Sequence, residues 1–180
     1  MLLDEMKSKS LDEIYIEKTY SHLERGVDGV IREVARTYKQ KLNVKTIKPG
    51  LRFVHFIVDG IALQLILSVP KIFFFSNPQL LALISLLLII LYPVMYIFFE
   101  YKFQQTPGKM VTNYVVINEY AEKPSLRICI LRTVIRFIPF EAFSCLSSPS
   151  RGWHDRWTKT YVVEKKEVEK LKSILMKYNN

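Results

Sequence analysis

Two long apolar runs, set close together, constrain this fold more than anything else in the chain. Residues 51–69 and 80–99 are both long enough for a membrane helix, and the second runs for twenty residues without a charge. A helix needs about 20 apolar residues to cross the roughly 30 Å core of a bilayer, so an uncharged run of that length reads as a span. The first run, Leu51–Val69, carries Arg52 near its start and Asp59 seven residues later. That spacing is close to two helical turns and puts both side chains on one face, with His55 between them on the same face. A charge at the bilayer centre costs ~2.5–3.5 kcal/mol on insertion scales. A chain that keeps such charges uses them for a pathway, a partner or a buried pair.

The rest of the first run is apolar up to Pro70, which is expected to end it. The loop Lys71–Gln79 holds one charge, whereas Arg32, Arg36, Lys39, Lys41, Lys45 and Lys48 precede the first run against Glu33 alone. The positive-inside rule then places the N-terminal segment in the cytoplasm and the loop outside. Pro93 within the second run is expected to kink it. Asp4 and Glu5, with no apolar run behind them, speak against a signal peptide.

A third apolar stretch, Leu126–Leu146, contains Arg127, Arg132, Arg136 and Glu141 and is broken by Pro139. If it crossed the membrane, residues 151–180 would lie outside, although they hold eight Lys and Arg against four Asp and Glu. The charge rule favours a segment that enters the membrane surface, turns near Pro139 and returns; a third full span is the alternative. Arg132 and Arg136, one helical turn apart, would face lipid phosphates or Asp59. Two short β-like pieces, Val111–Ile117 and Thr160–Val163, are rich in β-branched residues and tyrosine. They are expected to pair, which needs both on the cytoplasmic side.

Residues 10–47 read as helical, with Val27, Ile31, Val34, Tyr38 and Leu42 at three-and-four spacing. Such a helix could lie on anionic lipid or pack on a partner. Val168, Leu171 and Leu175 repeat the pattern more weakly near the C-terminus.

Candidate chemistry centres on the intramembrane charges. Asp59 could bind a proton or a cation, with Arg52 tuning it, or could pair with His55, Arg132 or Arg136 and serve the fold. His154 and Asp155, flanked by Trp153 and Trp157, could accept a proton, or Asp155 could cap a turn or bind a loop arginine. No ligand spacing for a metal is evident, because His22 and His55 lie far from His154 in the chain. Cys129 and Cys145, sixteen apart, match neither a metal nor a disulfide pattern and read as small apolar residues. Gly108-Lys109 lacks the flanking residues of a phosphate loop. No nucleophile motif stands beside a base, so neither catalytic residues nor a cofactor are expected. The chain has 26 Lys and Arg against 17 Asp and Glu, a net charge of +9, but the basic residues cluster at span ends, where the membrane rather than nucleic acid explains them.

These residues resemble the RDD family of small bacterial membrane proteins, named for one arginine and two aspartates. RFVHFIVDG, with Arg52 and Asp59, is similar to the family's first Arg and Asp. TPGKMVTNYVVI resembles its Gly-Lys turn and the strand after it. Leu131-Arg132 is similar to its later arginine, and RGWHDRWTKTYVV to its closing pattern, which makes Asp155 the second aspartate. The likeness covers roughly residues 50–163. It implies a multi-pass protein of the bacterial inner membrane, with transport of ions or small solutes the usual inference.

The expected architecture is an α-helical membrane protein. It has two transmembrane helices plus an Arg-rich re-entrant or third membrane segment, with a short cytoplasmic β-pair. Residues 1–49 form an amphipathic helical extension, 50–163 the membrane domain, and 164–180 a charged C-terminal helix. Arg52, Asp59 and Asp155 are the expected functional set, supported by His55, Arg132, Arg136 and His154. Membrane lipids and either further copies of the chain or a partner membrane protein are the expected contacts. One functional reading is ion transport by an oligomer. The other is a scaffold that binds its partner through the charged extensions.

Overall fold

The computed structural model describes residues 9–179, apart from 26, 28, 74, 75 and 146–149. The chain opens with β1 (Tyr15–Arg25) and β2 (Ile31–Lys41), an antiparallel hairpin in register from Tyr15↔Lys41 to Arg25↔Ile31. The helix expected over residues 10–47 is therefore incorrect. The three-and-four spacing was real but weaker than two local signals. One is the run of β-formers Tyr15, Ile16, Thr19, Tyr20, Val34, Thr37 and Tyr38; the other is Asp28-Gly29, a turn dipeptide. Gly29 has φ +77°, the left-handed conformation such a turn requires. Cross-strand contacts secure the register: Thr19 and Thr37 hydroxyls lie 3.0 Å apart, and Arg36 meets Glu24 at 2.5 Å.

Two long helices follow. The first, α1 (Pro49–Phe73), runs on through Pro70, which was expected to end it. Along an apolar helix, the one lost backbone hydrogen bond is tolerated where the next turns continue the ladder. The second, α2 (Pro78–Phe103), starts where the Asn77 side chain accepts from the backbone N–H of Gln79 and Leu80, both at 3.1 Å, with Pro78 at the first helical position. Their 25 and 26 residues span about 38 and 39 Å at 1.5 Å per residue, so both are long and apolar enough to cross a membrane. Large apolar side chains such as Phe53, Phe56, Leu65, Leu86 and Ile90 stand exposed on them, a surface that suits lipid.

After α2 the chain turns through α3 (Pro107–Val111) into β3 (Tyr114–Ile117). The arginine-rich stretch forms α4 (Leu126–Ile135), capped by Ser125, whose hydroxyl accepts from the N–H of Ile128. Its ten residues rise about 15 Å, half of a bilayer core. The chain then breaks through Arg136–Phe140, with Phe140 at φ +69°, and resumes as α5 (Glu141–Ser144). Leu146, the end of the expected third segment, falls outside the described residues. There follow α6 (Trp153–Trp157), β4 (Tyr161–Glu164) and α7 (Glu167–Asn179).

The expected β-pair is present: β3 and β4 are antiparallel, with Val115 opposite Val163 and Val116 opposite Val162. Strand side chains alternate between faces. Val115, Ile117, Tyr161 and Val163 pack on one face against Leu11, Ile14, Val44, Leu171 and Leu175, so α7 and both stems of the hairpin close over them. Val116 and Val162 pack on the other face against Ile47 and Leu51, at the head of α1. The small pair is thus a two-sided core, and it holds the segments after α2 and after α6 at one end of the helices. Backbone bonds extend it: the N–H of Ile47 donates to Val162 O at 3.1 Å, and that of Val116 to Gln104 O at 2.8 Å.

This packing predicts different weights for two leucines. Leu11→Ala, at a site 1 % exposed, should cost about 2–5 kcal/mol. Leu23→Ala, 76 % exposed near the hairpin tip, should change stability by less than about 0.5 kcal/mol. Unfolding of the detergent-purified protein would measure both.

Candidate functional site

The buried charges meet where α2 ends. Glu100, fully buried in its last turns, accepts from Lys109 Nζ at 2.8 Å and Arg136 at 2.7 Å through Oε1, and from Arg132 Nε at 3.0 Å through Oε2. Arg132 also donates to Asp155 Oδ1 at 2.8 Å and to the Thr160 hydroxyl. Asp155 Oδ2 takes Arg52, which donates as well to the Ser150 carbonyl at 2.8 Å. The result is a continuous relay from Lys109 and Arg136 through Glu100, Arg132 and Asp155 to Arg52. It ties α1, α2, α3, α4 and α6 together. Arg132, Glu100 and Asp155 have no exposed side-chain surface, so these bonds act out of bulk water. Burial would push the Asp155 carboxyl up, but the charges of Arg52, His154 and Arg132 outweigh it and hold the group well below the usual carboxylate range.

Arg52 therefore does not tune Asp59, as the shared helix face suggested; it reaches across to Asp155. Arg132 and Arg136 likewise turn to Glu100 and Asp155 rather than to Asp59. The reason is length: an arginine side chain reaches several ångströms from its helix, and the nearest carboxylates are on neighbouring elements. Asp155 takes the role of binding arginines, the plainer of its two readings. Asp59 does something else. Its Oδ1 accepts the backbone N–H of Gly108 at 2.7 Å and its Oδ2 the Tyr96 hydroxyl at 3.1 Å. It thus caps the start of α3, whose Thr106 makes no side-chain cap. Among the described residues no cation lies within ion-pair distance of Asp59, which is 3 % exposed. Asp59 also lines a small cavity with Met95, Tyr96, Phe99, Thr106 and Pro107. Among the described residues the buried Thr106 hydroxyl has no hydrogen-bond partner.

Gly108 lets α3 sit against α1. A Cβ there would fall 2.6 Å from the His55 carbonyl oxygen and 2.8 Å from its Cα, and both are backbone atoms that cannot step aside. His55 itself is buried and shares a short hydrogen bond with Thr112, away from Asp59. His154, at the other end of the relay, bonds through Nδ1 to Glu141 Oε1 at 2.5 Å. Burial lowers its pKa, against the pull of Asp155.

Glu100, Lys109 and Glu141 were not among the candidates read from the sequence. Glu100 had a usable signal: it is the first acid after twenty uncharged residues. Lys109 followed a Pro-Gly turn that offered no reason to bury it.

Two membrane-length helices, locked at one end by a buried charge relay, define a small membrane protein. The model of the RDD family matches residues 47–159, well over half of the chain, and the chain belongs to that family. No protein of curated function matches it, and no solved structure does.

The relay predicts coupled losses. Arg52→Gln and Asp155→Asn should each destabilise the fold, by about 3–5 kcal/mol where a buried charge is left unpaired. The double variant should lose less than their sum, by about 0.5–3 kcal/mol. A double-mutant cycle on thermal unfolding in detergent measures this; full additivity would show that the pair is not coupled.

Proposed function

We propose that Asp59 is the proton- or cation-binding group of a small transport unit that works as an oligomer. One observation carries this reading. Glu100 and Asp155 are each held by arginines, whereas Asp59 is buried in an apolar helix with no countercharge among the described residues and borders a cavity. A carboxylate kept out of water without a countercharge is stabilised by taking up a proton or a cation. Two hydrogen bonds leave lone pairs on both oxygens. Two helices cannot enclose a path alone, so further copies would supply the remaining walls; the exposed apolar faces of α1 and α2 suit that contact. No enzymatic step is part of this reading. We place the protein in the inner membrane with its N-terminal hairpin and β-pair in the cytoplasm, and the segment that opens with α4 turning back at the membrane surface.

The test is proton and sodium flux in proteoliposomes. Wild-type protein should conduct or exchange one of these ions, and Asp59→Asn should abolish that flux while keeping the wild-type melting temperature within a few degrees. Asparagine can still accept from Gly108, so the fold should survive. Flux at the wild-type rate in Asp59→Asn, or none in wild-type, would defeat the proposal.

A second reading rests on the hairpin. A two-stranded ribbon is marginal in water by itself, yet β1 and β2 are eleven residues each, with both faces open. Leu23, Val27, Val30 and Ile31 stand exposed around its tip. An arm of this form suits a scaffold that holds a partner membrane protein. Leu11, Ile14 and Val44 belong to the core, so the informative deletion is residues 17–39 closed by a short turn, rather than the whole N-terminal segment. Under the transport reading this deletion leaves flux intact and the protein folded. Under the scaffold reading it abolishes co-purification of a membrane partner.

A further inference from the structure

Beside the relay, but outside it, three side chains of different chemistry converge. Glu141 opens α5 and Cys145 follows four residues later, so carboxylate and thiol lie one helical turn apart on one side. The chain returns through Ser150–Gly152 and brings His154 of α6 against them. His154 Nδ1 is 2.5 Å and Cys145 Sγ 4.0 Å from Glu141 Oε1, and the three donor atoms all lie within 4.8 Å of one another.

We propose that Glu141, Cys145 and His154 form a site for a divalent transition-metal ion, zinc being the ion their chemistry fits best. Nitrogen, oxygen and sulfur from His, Glu and Cys are the donors zinc takes in tetrahedral sites. Around such an ion, bonds of about 2.0–2.3 Å set the donors roughly 3.3–3.8 Å apart. The thiol is already near that spacing from the carboxylate. The imidazole and the carboxylate, now hydrogen-bonded, need to part by less than about 1 Å. Three protein ligands leave the fourth position for water or a small exogenous ligand.

Two independent features support the assignment. The first is Gly152. A Cβ there would lie 2.5 Å from Cys145 Sγ, 2.7 Å from Glu141 Oε1 and 2.9 Å from His154 Cε1. These are the three proposed ligands, so the glycine keeps open the space where they meet. The second is the far side of the histidine ring: His154 Nε2 faces Asp155 Oδ1 at 3.4 Å. A metal-binding imidazole commonly donates its other N–H to a carboxylate, which fixes ring orientation and tautomer. The second aspartate of the relay would thus also orient a metal ligand.

The test uses the full-length protein in detergent, stripped with a chelator and titrated with Co²⁺ alone. Wild-type should bind one Co²⁺ per chain and show a thiolate-to-cobalt charge-transfer band in the near ultraviolet. Cys145→Ser should lose the band, whereas Cys129→Ser should keep it. Gly152→Ala and His154→Ala should weaken Co²⁺ binding by about 10-fold or more, the scale on which losing even a supporting group acts. Zn²⁺ should displace Co²⁺ and raise the melting temperature of wild-type but not of Cys145→Ser. The proposal fails if folded wild-type binds no stoichiometric Co²⁺, if the band survives in Cys145→Ser, or if His154→Ala binds as wild-type does.

Discussion

Glu100 accepts three cationic side chains at once, and the arrangement of the membrane end of this protein depends on that carboxylate. It lies near the end of α2, so α2 ends at a charge that must be neutralised out of water. Lys109 reaches it from α3, Arg132 from α4 and Arg136 from just beyond α4. Arg132 then hands the chain of charges to Asp155 and so to Arg52. An isolated buried ion pair is weak support for a fold, since desolvation consumes most of its attraction. A relay in which every carboxylate oxygen is bonded acts differently. It fixes direction, because each guanidinium accepts only a narrow set of approach angles. Short helices such as α3 and α6, five residues each, gain their placement from it.

The relay also separates two kinds of acid. Glu100 and Asp155 are bound by arginines, with Lys109 also on Glu100, and hold the elements together. Asp59 is excluded from that network and bonded instead to a backbone N–H and a tyrosine hydroxyl. Arg52 and Asp155 are bonded to each other, and Asp59 stands apart. This division is the physical ground for giving the three residues different roles.

At the same end, the β3–β4 pair supplies the core that water-facing parts of the chain need. It is only four residues by four, yet both faces are covered, one by α7 and the hairpin stems and the other by the head of α1. The hairpin is anchored through its stems, Ile14 and Val44, while its strands reach away from the core. The protein therefore combines a small packed module and a pair of membrane-length apolar helices, joined at one small sheet.

Much of this was legible in the chain itself. Twenty uncharged residues admit few structures other than a buried or membrane helix, and β-branched runs after a Pro-Gly turn imply strands, so α1, α2 and the β3–β4 pair could be read directly. The family was likewise recognisable from the order of its motifs. The hairpin was misread because residues 10–47 carry a three-and-four apolar spacing together with β-formers and a turn dipeptide, and the apolar spacing alone does not weigh these against each other. The partners of the charges were beyond reach for a different reason. Periodicity reports which residues share a face of one helix, and it put Arg52 beside Asp59. Which carboxylate an arginine meets depends on how separate helices pack. Only the tertiary structure brings Asp155 to Arg52 across 103 residues, Glu100 to Arg132 across 32, and Glu141 and Cys145 to His154.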